Sequence, residues 1–115
     1  LGTMNVKQAL GGEAQEKQEN PPSIWVNFES GGDIILTLKD LKEATQAPQD
    51  IRITALNSKV DMQTLGEMAI NLRKQIPTLN TALILPNQST KYQEMIAVMD
   101  QLKKAEIRDL GVAPL

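Results

Sequence analysis

The hydrophobic period of this chain switches repeatedly between two and about 3.6 residues, and that alternation narrows its possible folds more than any other feature. Ile51, Ile53 and Ala55 alternate with Arg52 and Thr54, as in a strand with one buried face. Leu65, Met68, Ala69, Leu72 and Ile76 then recur at helical spacing behind Asp61, whose carboxylate can accept the free amide hydrogens of a first turn. Pro77 stops that helix. Ala82 to Leu85 is a short continuous apolar run between turn signals, the pattern of a strand buried on both faces. Thr90 and Gln93 have capping-box spacing ahead of a second helical stripe made by Tyr92, Met95, Ile96, Met99 and Leu102. Ile107, Leu110 and Val112 form a last strand with Gly111 inside it. The order from residue 51 onward is strand, helix, strand, helix, strand.

The segment before this reads differently. Ile24, Val26 and Phe28 alternate with Trp25, Asn27 and Glu29, and Ile34, Leu36 and Leu38 repeat the pattern. Ser30-Gly31-Gly32-Asp33 lies between them as a turn, so the two strands are expected to pair as a hairpin. Lys39 to Gln46 is ambiguous between loop and one or two helical turns, closed by Pro48. Residues 1–22 carry Gly2, Gly11, Gly12, a polar run and Pro21-Pro22, with too few apolar side chains to offset the cost of ordering, and read as a linker. The domain is therefore placed at residues 23–115. Its expected fold is α+β, a two-layer sandwich with two helices packed on one face of a small mixed β-sheet. Each helix is expected to act as a right-handed crossover between neighbouring strands. The opposite sheet face is left exposed or used for dimerisation.

Composition limits the chemistry. Cysteine and histidine are both absent. That removes thiolate nucleophiles, disulfides, the usual general base near neutral pH and the usual zinc, copper or nickel ligands. A net charge of −2 makes nucleic acid a poor partner. With only Trp25, Phe28 and Tyr92 as aromatics, the core must come from Leu, Ile, Val, Ala and Met, and Met62, Met68, Met95 and Met99 read as core filler. Glu94 and Asp100 read as a solvated helix face rather than an acid–base pair. Ser89-Thr90-Lys91-Tyr92 lacks the glycines of a phosphate loop and reads as a helix start, while Ser30-Gly31-Gly32 joins strand to strand and reads as a hairpin turn. No active site assembles, so neither enzymatic activity, cofactor nor metal is expected. No apolar run is long enough to span a bilayer.

The stretch from Thr81 to Val112 carries a resemblance. Thr81-Ala-Leu-Ile-Leu-Pro-Asn87 leads into a helix that opens at Tyr92 and carries Val98-Met99-Asp100, followed by Ala105 and a final strand Leu110-Gly111-Val112. In order and spacing this resembles the periplasmic domain of the ExbD/TolR family. Asn57 to Leu72 resembles that family's first helix and preceding loop, and Ile24 to Phe28 its first strand after a proline-bearing linker. Three features depart from the pattern: Asn87 stands where the strand usually ends in an acidic residue, Glu106 replaces a glycine, and Asp33 to Gln49 is longer than the family needs.

The resemblance implies a non-catalytic subunit of the bacterial inner membrane, single-pass, with this domain in the periplasm. Its transmembrane helix, carrying a proton-handling aspartate, would precede Leu1. Such proteins dimerise inside an ExbB/TolQ-like channel and use the proton motive force to do work on a TonB- or TolA-like partner, in some cases with peptidoglycan binding. The role left for this domain is recognition. The strand Ile24, Trp25, Val26, Asn27 and Phe28 is the expected partner-binding edge, with Trp25 a candidate exposed anchor or else a core residue. The alternative is a small cytosolic ligand-binding regulatory α+β domain.

Overall fold

Ser23–Phe28 (β1) and Ile34–Lys39 (β2) form the expected antiparallel hairpin, joined by a 3-10 turn at Ser30–Gly32. The computed structural model describes residues 20–41 and 49–114. The linker assignment for residues 1–19 and the ambiguous segment at residues 42–48 fall outside them. Along the rest of the chain lie β3 (Asp50–Ile53), α1 (Met62–Gln75), β4 (Thr81–Leu85), α2 (Tyr92–Lys104) and β5 (Asp109–Val112). The sheet order is β3-β2-β1-β4-β5. β1 pairs antiparallel with β2 and parallel with β4, β3 joins β2 antiparallel, and β5 joins β4 parallel. The sheet is therefore mixed, and with the two helices on one side the fold is the α+β sandwich the periodicity implies.

Register stacks the apolar positions of all five strands on one face. Val26 lies between Leu36 and Ile84, and Ile24 between Leu38 and Ala82. Ile53 extends this row beside Ile34, and Leu110 lies beside Ala82. Leu65, Ala69 and Leu72 of α1, with Val98 and Leu102 of α2, close over that face and are fully or almost fully buried. The four methionines named above pack half-buried around this core. Gly66 allows the helices to approach: a Cβ there would lie 2.5 Å from Oε1 of Gln101 on α2.

Asp61 caps α1 as its sequence position suggests. Its carboxylate accepts from the Thr64 amide at 3.1 Å and from the Thr64 hydroxyl at 2.8 Å. These two bonds, the amide first, hold its pKa below the usual carboxylate value. A depressed folded-state pKa adds stability above the unfolded pKa and loses it as pH falls through the folded one. Asp61→Asn keeps the cap geometry without the charge. The gap in Tm between wild type and Asp61→Asn is accordingly expected at neutral pH and should close below about pH 4.

Three expectations are corrected. Thr90 and Gln93 do not form a capping box: α2 starts after Lys91 without a side-chain cap, and the Thr90 hydroxyl bonds the preceding loop instead. The run Ala82 to Leu85 is buried on one face only, Ala82 and Ile84 lying in the core and Leu83 half-exposed on the other side. The first helix does not join neighbouring strands, because β3 and β4 are separated by β2 and β1; only α2 is a crossover between adjacent strands.

Two main-chain hydrogen bonds close the C-terminal end of α2. The Glu106 amide donates to the Lys103 carbonyl and the Ile107 amide to the Leu102 carbonyl, at 2.9 Å each, with Glu106 left-handed at φ 70°. That is a Schellman cap, whose left-handed position favours glycine. Glu106→Gly is therefore expected to raise the stability by about 0.5–1 kcal/mol, measurable by denaturant titration. The ion pair lost with it, Glu106 to Arg108, is exposed on both sides and contributes little.

Candidate functional site

The expected partner edge is not an edge. β1 is the central strand, hydrogen-bonded to β2 on one side and β4 on the other, so Ile24–Phe28 cannot accept a further strand. Ile24, Val26 and Phe28 are core, Asn27 is half-buried, and Trp25 stands 37% exposed on the sheet face opposite α1 and α2. Lys39 of β2 places its Nζ 4.5 Å from the centre of the Trp25 ring, a cation–π contact that fixes the indole against the sheet. Thr37 and Leu83 flank Trp25 across the neighbouring strands.

The residues that carry the family resemblance divide by role. Val98 is buried in the core and Met99 packs at its border, while Asp100 is on the solvent side of α2. Tyr92 opens α2 and is 69% exposed. Leu110, Gly111 and Val112 make up most of β5, at one end of the sheet. A Cβ at Gly111 would meet Leu83 at an ordinary 3.6 Å, so packing alone does not require glycine there.

A cleft of about 410 Å³, bordered largely by polar residues, opens where β1 and β4 end together. Three turns that read separately in the sequence line it: Ser30-Gly31-Gly32, Asn57-Ser58-Lys59 and Ser89-Thr90-Lys91. Gly31 and Gly32 are left-handed at φ 82° and 95°. Leu56 and Lys59 exchange both main-chain hydrogen bonds, closing a tight turn in which Asn57 and Ser58 also have positive φ. Gly32 rests on that second turn, and a Cβ on it would lie 2.9–3.0 Å from the Lys59 backbone. Asn87 ties in the third: its side-chain amide donates to the Phe28 carbonyl at 3.0 Å, while its Oδ1 accepts from the Ser89 amide at 2.7 Å.

The rim of the cleft is fixed by charge as well. Arg52 reaches from β3 to Glu29 at 3.0 Å and Asp33 at 2.8 Å, and the Asp33 carboxylate also accepts from the Ala55 amide at 2.8 Å. The hydrogen bond and charge of Glu29, then those of Asp33, raise the Arg52 pKa. The cleft thus offers hydroxyls, carboxamides, Lys59 and Lys91, beside Glu29 and Glu94. This set suits hydrogen-bonded recognition of a polar ligand. No protein-family model matches this chain, and no curated protein does. Among the described residues no group of three or more Asp or Glu side chains is placed to hold a metal ion.

The sequence carried a signal for the cleft in its glycine, asparagine and serine clusters, but not for their convergence. Asn87 is the clearest case, because its partner Phe28 is 59 positions away. An aspartate at 87 has no N–H to give to that carbonyl. Asn87→Asp is expected to cost about 1–2 kcal/mol in denaturant unfolding, by leaving the Phe28 carbonyl facing a carboxylate.

Proposed function

We propose that this chain is the periplasmic, partner-recognising domain of an ExbD/TolR-like subunit in a complex driven by the proton motive force. The observation that carries this reading is the agreement between the resemblance and the fold around α2. The helix opening at Tyr92 follows a strand ending near Asn87, and the last strand holds Leu110-Gly111-Val112. The position that is glycine in the family pattern is the left-handed end of α2, the one place there where glycine has a conformational advantage. On this reading the domain carries no catalytic residue. It passes work between an ExbB/TolQ-like channel, reached through an anchoring helix ahead of Leu1, and a TonB- or TolA-like protein, and it pairs with a second copy.

The test is affinity purification of the membrane-anchored protein from detergent-solubilised membranes. Recovery of an ExbB/TolQ-like channel subunit supports the proposal, and its consistent absence refutes it. Binding of the same preparation to sedimented peptidoglycan, against a TonB-type periplasmic peptide, separates envelope-integrity from uptake roles.

The cleft favours a second reading, a small ligand-binding regulatory domain, since it lies at the carboxyl ends of parallel strands where such sites occur. That reading expects saturable heat on calorimetric titration with a polar metabolite, and the loss of that signal in Lys59→Ala or Ser89→Ala.

A further inference from the structure

β1 and β4 are parallel neighbours whose chains leave in opposite directions. From β1 the chain turns through Ser30–Gly32 to β2, on one side of the pair. From β4 it runs through α2 to β5, on the other side. A crevice opens between two connections that part in this way, and such a switch point is where open sheets take their ligands. The register sets Asn27 beside Leu85, so both strands end at one level, and the cleft of about 410 Å³ lies there. That is the size of a site for a small molecule.

The walls are held in place by the protein itself. Gly32 packs on the Lys59 backbone, Asn87 is tied to the Phe28 carbonyl, and Arg52 clamps Glu29 and Asp33. A cleft built on turns that are already fixed loses little conformational freedom when it binds.

Charge narrows what fits. The charged side chains that line the cleft are Glu29, Lys59, Lys91 and Glu94. Glu29 is neutralised by Arg52. Among the described residues, Lys59, Lys91 and Glu94 have no ion-pair partner. The two lysines stand on separate walls, one in the turn after β3 and one just ahead of α2, and Glu94 is half-buried in the first turn of that helix. The cleft thus presents two positive charges and one negative charge to its contents. A simple dianion would satisfy the lysines but meet Glu94 with like charge, which is a selective penalty.

We propose that the cleft binds an acidic amino acid of the glutamate or aspartate type. Its two carboxylates lie against Lys59 and Lys91, and its ammonium group lies against Glu94. Charge-assisted hydrogen bonds of this kind fix the orientation of a small ligand as well as its identity. This inference deepens the ligand-binding reading of the cleft and rests on it; it is independent of the energiser assignment.

The experiment is amide NMR of the 115-residue chain, titrated separately with glutamate, aspartate, glutarate and glutamine, and with an equimolar mixture of sugars, nucleotides and organic acids. Glutamate or aspartate should shift the amides of Gly31, Gly32, Ser58 and Lys91 saturably, with a Kd below about 1 mM. Glutarate lacks the ammonium group and glutamine lacks one carboxylate, so each should bind about tenfold or more weakly than glutamate. Glu94→Gln should weaken glutamate by about tenfold and leave glutarate no weaker, a split that loss of folding does not produce. Glutarate binding as tightly as glutamate overturns the amino-acid site and keeps the cleft as a ligand site. Shifts from the mixture alone do the same. Absence of cleft shifts with every titrant overturns the amino-acid site and the ligand-binding reading together.

Discussion

Gly32→Ala is expected to destabilise the domain by about 3 kcal/mol, against about 1 kcal/mol for Gly31→Ala one residue earlier. Both residues are left-handed, at φ 95° and 82°, so an added Cβ is strained at either. They differ in what that Cβ would meet. At Gly31 nothing lies within 4 Å, whereas at Gly32 the Lys59 backbone lies at 2.9–3.0 Å. Backbone cannot swing aside as a side chain can, so Gly32→Ala must push the Asn57-Ser58 turn off the hairpin. Denaturant titrations of the two variants compare the effects directly, with unchanged slopes and separated midpoints. Equal midpoints would mean that the two turns do not pack together, and the cleft they border would then be open differently.

Ile84→Ala is expected to cost about 3–4 kcal/mol, a large share of the stability of so small a domain, while Leu83→Ala next to it should cost about 1 kcal/mol. Ile84 is fully buried between Val26 and Val112, under the helices. Leu83 is half-exposed on the opposite face beside Trp25 and Gly111. The contrast measures how one-sided the sheet is. Comparable losses at the two positions would show that a second layer covers the Trp25 face. Near-equality in the 115-residue chain that disappears on dilution would identify that layer as a second copy.

The same strand shows where sequence pattern stops being informative. Thr81-Ala-Leu-Ile-Leu-Pro contains four apolar residues in a row, and continuous apolar character is the usual mark of a strand covered on both faces. Nothing in those residues tells which of Leu83 and Ile84 meets the helices, because that is decided by pairing with β1. Elements with an internal signal were legible: the Ile24/Val26/Phe28 alternation, the Asp61 cap, the stripe from Leu65 to Ile76 and the stop at Pro77 all hold in the structure.

What depended on distant pairing was not legible. β1 follows a proline pair and looks like a natural sheet edge, yet it pairs in parallel with β4, more than fifty residues later in the chain, and ends at the centre. Thr90 has the right spacing from Gln93 for a capping box, but its hydroxyl is engaged by Asn87, which is itself anchored to Phe28. The cleft has the same origin. Each of its turns satisfies its own local geometry, and only the strand order carries them to one end of the sheet.

The most direct test of the energiser assignment is the amino-terminal sequence and membrane partitioning of the native protein. If this domain is the periplasmic end of an ExbD/TolR-like subunit, the native chain partitions with the inner membrane. It then carries, ahead of Leu1, about 20 apolar residues containing one aspartate. A native protein that begins at Met4 and fractionates away from membranes would contradict it.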